Sequence, residues 1–439
     1  MSVEFPQRTH KVVFPTAARA LRLTTQGTSQ SEESLQSLVE SRCASLFRDY
    51  RAPWWAFNGH AHTLYEVLGN FKKVDQIWYK RKILRVSDGG TLGLDFAPLD
   101  TSHLDNNSPI IVAVVGLTGG SHEPYLRAIL SPTSTKVKDG GLGYRVVVVN
   151  LRGCANVPVT SPRLYTPGHT DDLRLALIYI SQIYPEAPLL GVGFSMGAGI
   201  LIRYLAEEGT ASRLVSGCAL ACPWDNVLNS HMLHSTFLTR NLWARGMGIN
   251  LQTVLRRNEA ALRSFQDHPI SAALPAALAL RYPTLSFFDT TFSSRVGGPE
   301  PMFPFPDLET YYDWASSHIV LKDVTVPLLA INSTDDPLVR AVPVDPGRNP
   351  NVVLARTRCG GHLAWFKAGG GRWVTQPVLE WLRLTAEDLT HDLSNRLPVH
   401  VDQDGFFRER GRNGMGCKHI RDGGVIDGNR GEKGMLRGL

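Results

Sequence analysis

The sequence predicts an α/β chain, a mostly parallel sheet flanked by helices with a helical cap insertion late in the chain. Three observations carry that prediction. Between residues 81 and 400, short β-branched runs alternate with longer amphipathic ones, the order that winds a parallel sheet. The runs are unbroken and apolar, as strands covered on both faces must be. The alternation stops at about 224–322, where helical and aromatic segments replace it.

Taken in order, residues 1–80 form an arm predicted to pack on the core. Within SEESLQSLVESRCASLFRDY, Leu35, Leu38, Val39, Cys43 and Leu46 recur at three and four, which predicts a helix. An aromatic stretch, PWWAFNGHAHTLYEVL, follows. KILRVSDGGTLGLDFA reads as a hairpin turning on DGG. PIIVAVVG (109–116), YRVVVVNL (144–151), APLLGVGF (187–194), SGCALACP (216–223), VPLLAINS (326–333) and NVVLARTR (351–358) read as buried strands. HTDDLRLALIYISQIY and MGAGILIRYLAEEG read as helices between them. The insertion is expected over the carboxyl edge of the sheet, where ligands of such sheets bind. Residues 401–439 hold ten glycines and little apolar periodicity, which predicts a disordered tail.

Hydrophobic residues make up 43% of the 439 and charged residues 20%, enough for a full core. The net charge of +6 is mild, and the Lys and Arg residues are scattered. That argues against a nucleic-acid partner and leaves transient contact with an anionic lipid surface open. MSVEFPQRTHKVVFP lacks the apolar core of a secretory signal. The longest uncharged runs, 106–122 and 187–202, are glycine-broken and fall short of the ~20 residues of a membrane helix. The six cysteines (Cys43, Cys154, Cys218, Cys222, Cys359, Cys417) read as structural thiols of a reducing compartment. The expected location is therefore intracellular and cytoplasmic.

GFSMG (193–197) places Ser195 between a buried strand and an amphipathic helix. A serine on such a turn needs small neighbours, because its backbone is strained and the flanking segments nearly collide. Its hydroxyl stands beside a helix N-terminus, whose amides stabilise an anion. A nucleophilic serine needs a base, and the base an orienting acid, here expected after later strands in the order serine, acid, histidine. VPLLAINS ends in TDDPLV and NVVLARTR ends in CGGHLAWF. His362 is the candidate base. Asp336 is the favoured acid by its Asp-Pro-hydrophobic-Val context, with Asp335 the alternative. Acyl transfer also needs donors for an oxyanion. The Met196 amide is one candidate, and the amide of Leu117, or of Thr118, in the glycine-rich loop VVGLTGGSHEPYL is the other.

Other residues read as structural. His60 and His62 have no third ligand beside them, and no Cys/His cluster has zinc spacing, so no metal is expected. Arg152 is expected to pair with Asp171 and Asp172. Nothing near Cys154 lowers its pKa. Trp224, Trp243, Phe287, Phe288, Tyr311, Tyr312 and Trp314 are expected mostly as core, with some lining an acyl pocket.

Beyond single residues, NGHAHTL (58–64), GLTGGSHEPYL (116–126), NLRGCAN (150–156), SPRLYTPGHTDDL (161–173), GFSMGAG (193–199), SFFDTTFSSRVGG, YYDWAS, NSTDDPLV and GGHLAWF occur in one chain. In these motifs, from about Pro53 to Leu389, it resembles the α/β-hydrolase superfamily. The resemblance is to the branch of the yeast medium-chain fatty acid ethyl ester synthase/esterases, the plant embryogenesis-associated esterases and the animal abhydrolase domain proteins 1, 2 and 3. It implies an α/β-hydrolase fold and hydrolysis of acyl esters or acylglycerols. In the yeast members it implies acyl transfer from an acyl-thioester to an alcohol as well. Ser195, His362 and one of Asp335 and Asp336 then correspond to nucleophile, base and acid, with no cofactor.

Overall fold

Valine, isoleucine and leucine crowd the strands at the middle of the chain, and every residue of those strands is buried except Val215. The computed structural model describes residues 10–17, 19–23, 32–48, 50–432 and 435–439. The segment MSVEFPQRT, read above against a secretory leader, lies outside the described residues.

The sheet strands are β1 (Lys11–Val13), β2 (Trp78–Val86), β3 (Thr91–Ala97), β4 (Ile110–Val114), β5 (Arg145–Asn150), β6 (Leu189–Phe194), β7 (Leu214–Leu220), β8 (Leu328–Ser333), β9 (Val352–Thr357), β10 (Val399–Val401), β11 (Phe407–Glu409) and β12 (Cys417–Asp427). They form one 12-stranded sheet in the order β1-β9-β8-β7-β6-β4-β5-β3-β2-β12-β11-β10. The middle six strands, β9 to β5 in that order, run parallel. The other strands pair antiparallel, including the β2–β3 hairpin at the DGG turn. Helices α1 (Leu35–Arg42), α2 (Gly59–Leu68), α3 (Pro124–Ser134), α4 (Asp171–Ile183) and α5 (Met196–Glu208) precede a helical insertion between β7 and β8. Within that insertion, α6 (Asn226–His234), α7 (Arg245–Arg257) and α8 (Leu308–Ala315) matter for the site.

The chain end departs from the sequence expectation. Instead of a disordered tail, residues 399–427 supply three strands, and β12 pairs along β2 from Cys417 opposite Val86 to Asp427 opposite Trp78. A long strand edge offers backbone donors and acceptors to any extended segment, whatever its side chains. Glycine and charge in β12 therefore do not oppose pairing, since most of its residues face solvent. Two buried anchors fix this part of the chain, one at Cys417 on β12 and one at Glu409 on β11. The Cys417 thiol reaches the Leu175 carbonyl at 3.2 Å. The Arg213 guanidinium, 3% exposed, pairs with Glu409 at 2.9 Å.

Replacing Glu409 with alanine leaves Arg213 buried without its main counter-charge. A loss of about 3–5 kcal/mol is expected in urea unfolding. A neutral effect is the outcome a disordered tail requires.

Candidate active site

Each sequence-predicted site residue lies at the carboxyl end of a parallel strand, the edge where such sheets place ligands. Ser195 follows β6 directly and caps α5. Its backbone sits at φ 51° and ψ −120°, a strained conformation for an L-residue. Its neighbours must be glycine for reasons of space. A Cβ on Gly193 would lie 2.5 Å from the Ala198 Cα, and one on Gly197 would lie 2.3 Å from the Val114 carbonyl oxygen.

The loops after β8 and β9 bring Asp336 and His362 to this serine. The Ser195 hydroxyl lies 2.9 Å from His362 Nε2. On the other side of the ring, His362 Nδ1 lies 2.8 Å from Asp336 Oδ2. The imidazole and the carboxylate are both buried. Asp336 Oδ1 accepts the amides of Leu338 at 2.8 Å and Val339 at 2.9 Å, which locks the carboxylate plane. Asp335 points elsewhere: it accepts the Ser333 hydroxyl at 2.6 Å and the Gly361 amide at 3.0 Å. Burial raises the pKa of its carboxyl. Of the two acids, only Asp336 reaches the histidine.

The loop after β4 supplies the remaining donors. Thr118 sits at φ 55° and its amide donates to the Tyr165 hydroxyl at 3.1 Å. Burial holds that phenol protonated. The Thr118 amide is thus occupied, whereas Leu117 lines the same cavity as Ser195 and Met196. Helix α5 begins at Met196, so its amide is among those without an intrahelical acceptor.

Sequence reasoning missed the residues that hold these loops. Thr63 on α2 accepts the His362 amide at 2.9 Å. Helix α2 approaches so closely that a Cβ on Gly59 would overlap the Asp335 carbonyl, 1.8 Å away. The motif NGHAHTL is therefore a support for the histidine loop. Asp95 on β3 accepts the Ser121 hydroxyl at 2.6 Å, the Asn150 amide at 2.9 Å and the Arg81 guanidinium at 2.6 Å. Asn150 in turn accepts the Ser121 backbone amide at 3.0 Å, fixing the loop after β4. The one available signal was the polar Asp95 and Asn150 inside otherwise apolar strands.

The residues read as structural fall as follows. His60 Nδ1 accepts the Trp243 indole at 2.8 Å, tying the arm to the insertion. His62 is fully buried against Phe366, and burial pulls its pKa down to about 4. Among the described residues no group of three or more His, Cys, Asp or Glu side chains could hold a metal ion. Arg152 pairs with Asp172 and with Asp88, while Asp171 pairs with Arg163 and Arg174 instead. Burial pushes the Cys154 thiol up to about 12.

A cavity of about 100 Å³ opens beside Ser195. Leu117, Leu233, Met247, Leu251, Leu285, Leu338 and Val339 line it with aliphatic carbon. Of the insertion aromatics, Tyr311 and Tyr312 reach it, whereas Trp224, Trp243 and Phe288 are buried elsewhere and Phe287 is exposed. Asp289 gives the cavity one buried carboxyl, held by the Tyr312 hydroxyl at 2.8 Å.

This serine–histidine–aspartate line on a parallel sheet agrees with a match to the alpha/beta hydrolase fold family over residues 109–368. The chain belongs to that family. The hydrolase is 27% identical over 372 residues to the Monoacylglycerol lipase of Saccharomyces cerevisiae, covering 76% of this chain and 80% of that protein. It is 29% identical over 390 residues to the Medium-chain fatty acid ethyl ester synthase/esterase 2 of the same yeast, covering 74% and 84%. It is 30% identical over 357 residues to the Embryogenesis-associated protein EMB8 of Picea glauca, covering 78% and 74%. Among the described residues no helix is long and apolar enough to cross a membrane.

Asp289 makes a pH-dependent prediction. Burial raises its carboxyl from 3.8 to about 6. Below pH 3.8 the group is neutral folded or unfolded and is without effect. From there to about pH 6 the unfolded chain gives up the proton first, so stability falls as pH rises. Asp289→Asn removes the ionisation. Its unfolding free energy relative to wild type should improve by about 2 kcal/mol between pH 4 and pH 7. Parallel denaturant titrations at the two pH values measure this.

Proposed function

We propose that this hydrolase is a serine carboxylester hydrolase, an esterase of the acylglycerol-lipase kind, working through an acyl-enzyme on Ser195. The observation that carries the reading is His362 set between Ser195 and Asp336 at 2.9 and 2.8 Å, at the end of an aliphatic cavity. The Ser195 hydroxyl donates to His362 Nε2, which takes the proton as the oxygen attacks the acyl carbonyl. Asp336 holds the Nδ1 proton in place and stabilises the imidazolium formed. The amides of Met196 and Leu117 take the negative charge that develops on the carbonyl oxygen. As the carbonyl re-forms, the ester's C–O bond breaks and His362 gives its proton to the departing alcohol. Water, deprotonated by the same imidazole, then releases the acid and restores the serine.

The substrate is a small acyl ester, and an acylglycerol suits both the aliphatic lining and the buried Asp289 and Tyr312 that could meet a hydroxyl. Transient contact with a lipid surface is supported by exposed Trp54, Phe57, Leu64 and Leu68 on the arm and Phe237, Leu238 and Leu242 on the insertion. Arm and insertion meet at the His60–Trp243 bond, close in sequence to both groups. The site of action is intracellular, at cytoplasmic lipid surfaces. An acyl-thioester donor with an alcohol acceptor is the alternative use of the same acyl-enzyme.

A fluorophosphonate should label wild-type protein and fail to label Ser195→Ala, whose ester turnover should fall on the order of 10⁶-fold. Absence of labelling in folded wild-type protein removes the reading. Adding an alcohol and measuring the acid-to-ester ratio separates hydrolysis from transfer.

The two aspartates should differ sharply in kcat. Asp336→Asn should cost about 10⁴-fold, since the wrong histidine tautomer is then favoured. Asp335→Asn weakens a loop bond and should cost about 10-fold. Comparable losses in both variants would contradict the assignment.

A further inference from the structure

Residues 435–439 do not extend the sheet. They cross between the loop after β4 and the insertion, and both sides hold them. The Asn250 side chain on α7 donates to the Leu436 carbonyl at 2.7 Å and accepts the Leu436 amide at 2.9 Å. The Gly438 amide donates to Glu123 at 3.1 Å, and the Thr118 hydroxyl donates to the Leu439 carbonyl oxygen at 3.4 Å.

These contacts deliver one side chain to a prepared socket. Leu439 is 6% exposed and joins the buried cluster of Leu233, Trp243, Met247 and Leu338. Leu233, Met247 and Leu338 also line the cavity beside Ser195. A Cβ on Gly246 would lie 2.8 Å from Leu439 Cδ1, so the leucine seats closely against bare backbone. The wall it backs is mostly aliphatic, the Asn229 amide beside it already donating to the Leu338 carbonyl at 3.0 Å, while Asp289, Ser293, Tyr311 and Tyr312 give other parts of the lining their polar groups. An acyl chain, having no hydrogen-bonding groups, belongs against the aliphatic wall.

We propose that Leu439 is a specificity-determining residue: packed behind Leu233, Met247 and Leu338, it closes the acyl end of the cavity and limits the chain length accepted. The proposal rests on the ester-hydrolase reading of Ser195. Asn250 acts at one remove, as the residue that positions the strap.

The test is a series of 4-nitrophenyl esters from butyryl to palmitoyl, run on wild type, Leu439→Ala and Asn250→Ala. The ratio of kcat/KM for palmitoyl over butyryl ester should rise about 10-fold in Leu439→Ala. It should rise in the same direction in Asn250→Ala. Fluorophosphonate should still label Ser195 in both, which shows the nucleophile intact, whereas a general loosening of the site lowers kcat/KM for both esters and leaves their ratio unchanged. Leu439→Val, a smaller truncation, carries the test if the alanine variant melts early. An unchanged ratio in folded, normally labelled variants overturns the proposal alone. A wild-type protein that turns over no ester removes it together with the reading of Ser195.

Discussion

Ser195 at φ 51° is a local cost, on the order of 1–3 kcal/mol for a residue with a side chain. Nothing within the elbow offsets it, so the surrounding packing must. Strand β6 lies between β4 and β7 in the parallel run, and its residues are all buried. The Ser195 amide donates to the Leu220 carbonyl at 2.8 Å, so the turn itself is pinned to the end of β7. Relaxing the serine would lift α5 from the sheet through Gly197, whose missing side chain lets the helix start touch the backbone at Val114. Strain at one residue is therefore maintained by the most buried part of the molecule. In exchange the hydroxyl and the first free amide of α5 face the same space.

The other parts of the site sit on loops, which have no such sheet beneath them. Their backbone groups are satisfied from far away in sequence. Thr63 receives the His362 amide, and Asp335 receives the Gly361 amide. Asn150 and Asp95 hold Ser121. An unpaired buried amide costs roughly 1–3 kcal/mol, so each of these side chains stabilises one loop conformation over its alternatives. The arm is thus part of the framework of the site, because α2 presses Gly59 and Thr63 onto the two loops carrying Asp336 and His362.

What could be read from the sequence follows from this division. The parallel strands were legible because burial on both faces forces a run of β-branched residues, and their ends then located Ser195, Asp336 and His362. Thr63 was not legible, since a single threonine gains its role only from partners brought near by folding, and Asp95 left no more than the mark of a carboxylate inside an apolar strand. Strand β12 failed for another reason. It pairs through backbone groups at a solvent-facing edge, so it needs no apolar period, and ten glycines in 39 residues looked like the composition of a disordered segment.

Two adjacent-residue ambiguities, Asp335 against Asp336 and Leu117 against Thr118, show why spacing alone was insufficient. Neighbouring residues on a tight loop point their groups in different directions, and each direction meets a different need. Asp336 turns inward to the imidazole and to the amides of Leu338 and Val339. Asp335 turns to the Ser333 hydroxyl and the Gly361 amide, tying its loop to the one that carries His362. Thr118, at positive φ, commits its amide to Tyr165 and its hydroxyl to Leu439, so Leu117 is left facing the cavity. In each pair one residue faces the imidazole or the cavity and its neighbour fixes the loop that carries it. Exchanging the two would therefore act twice, once by removing the contact and once by releasing the loop.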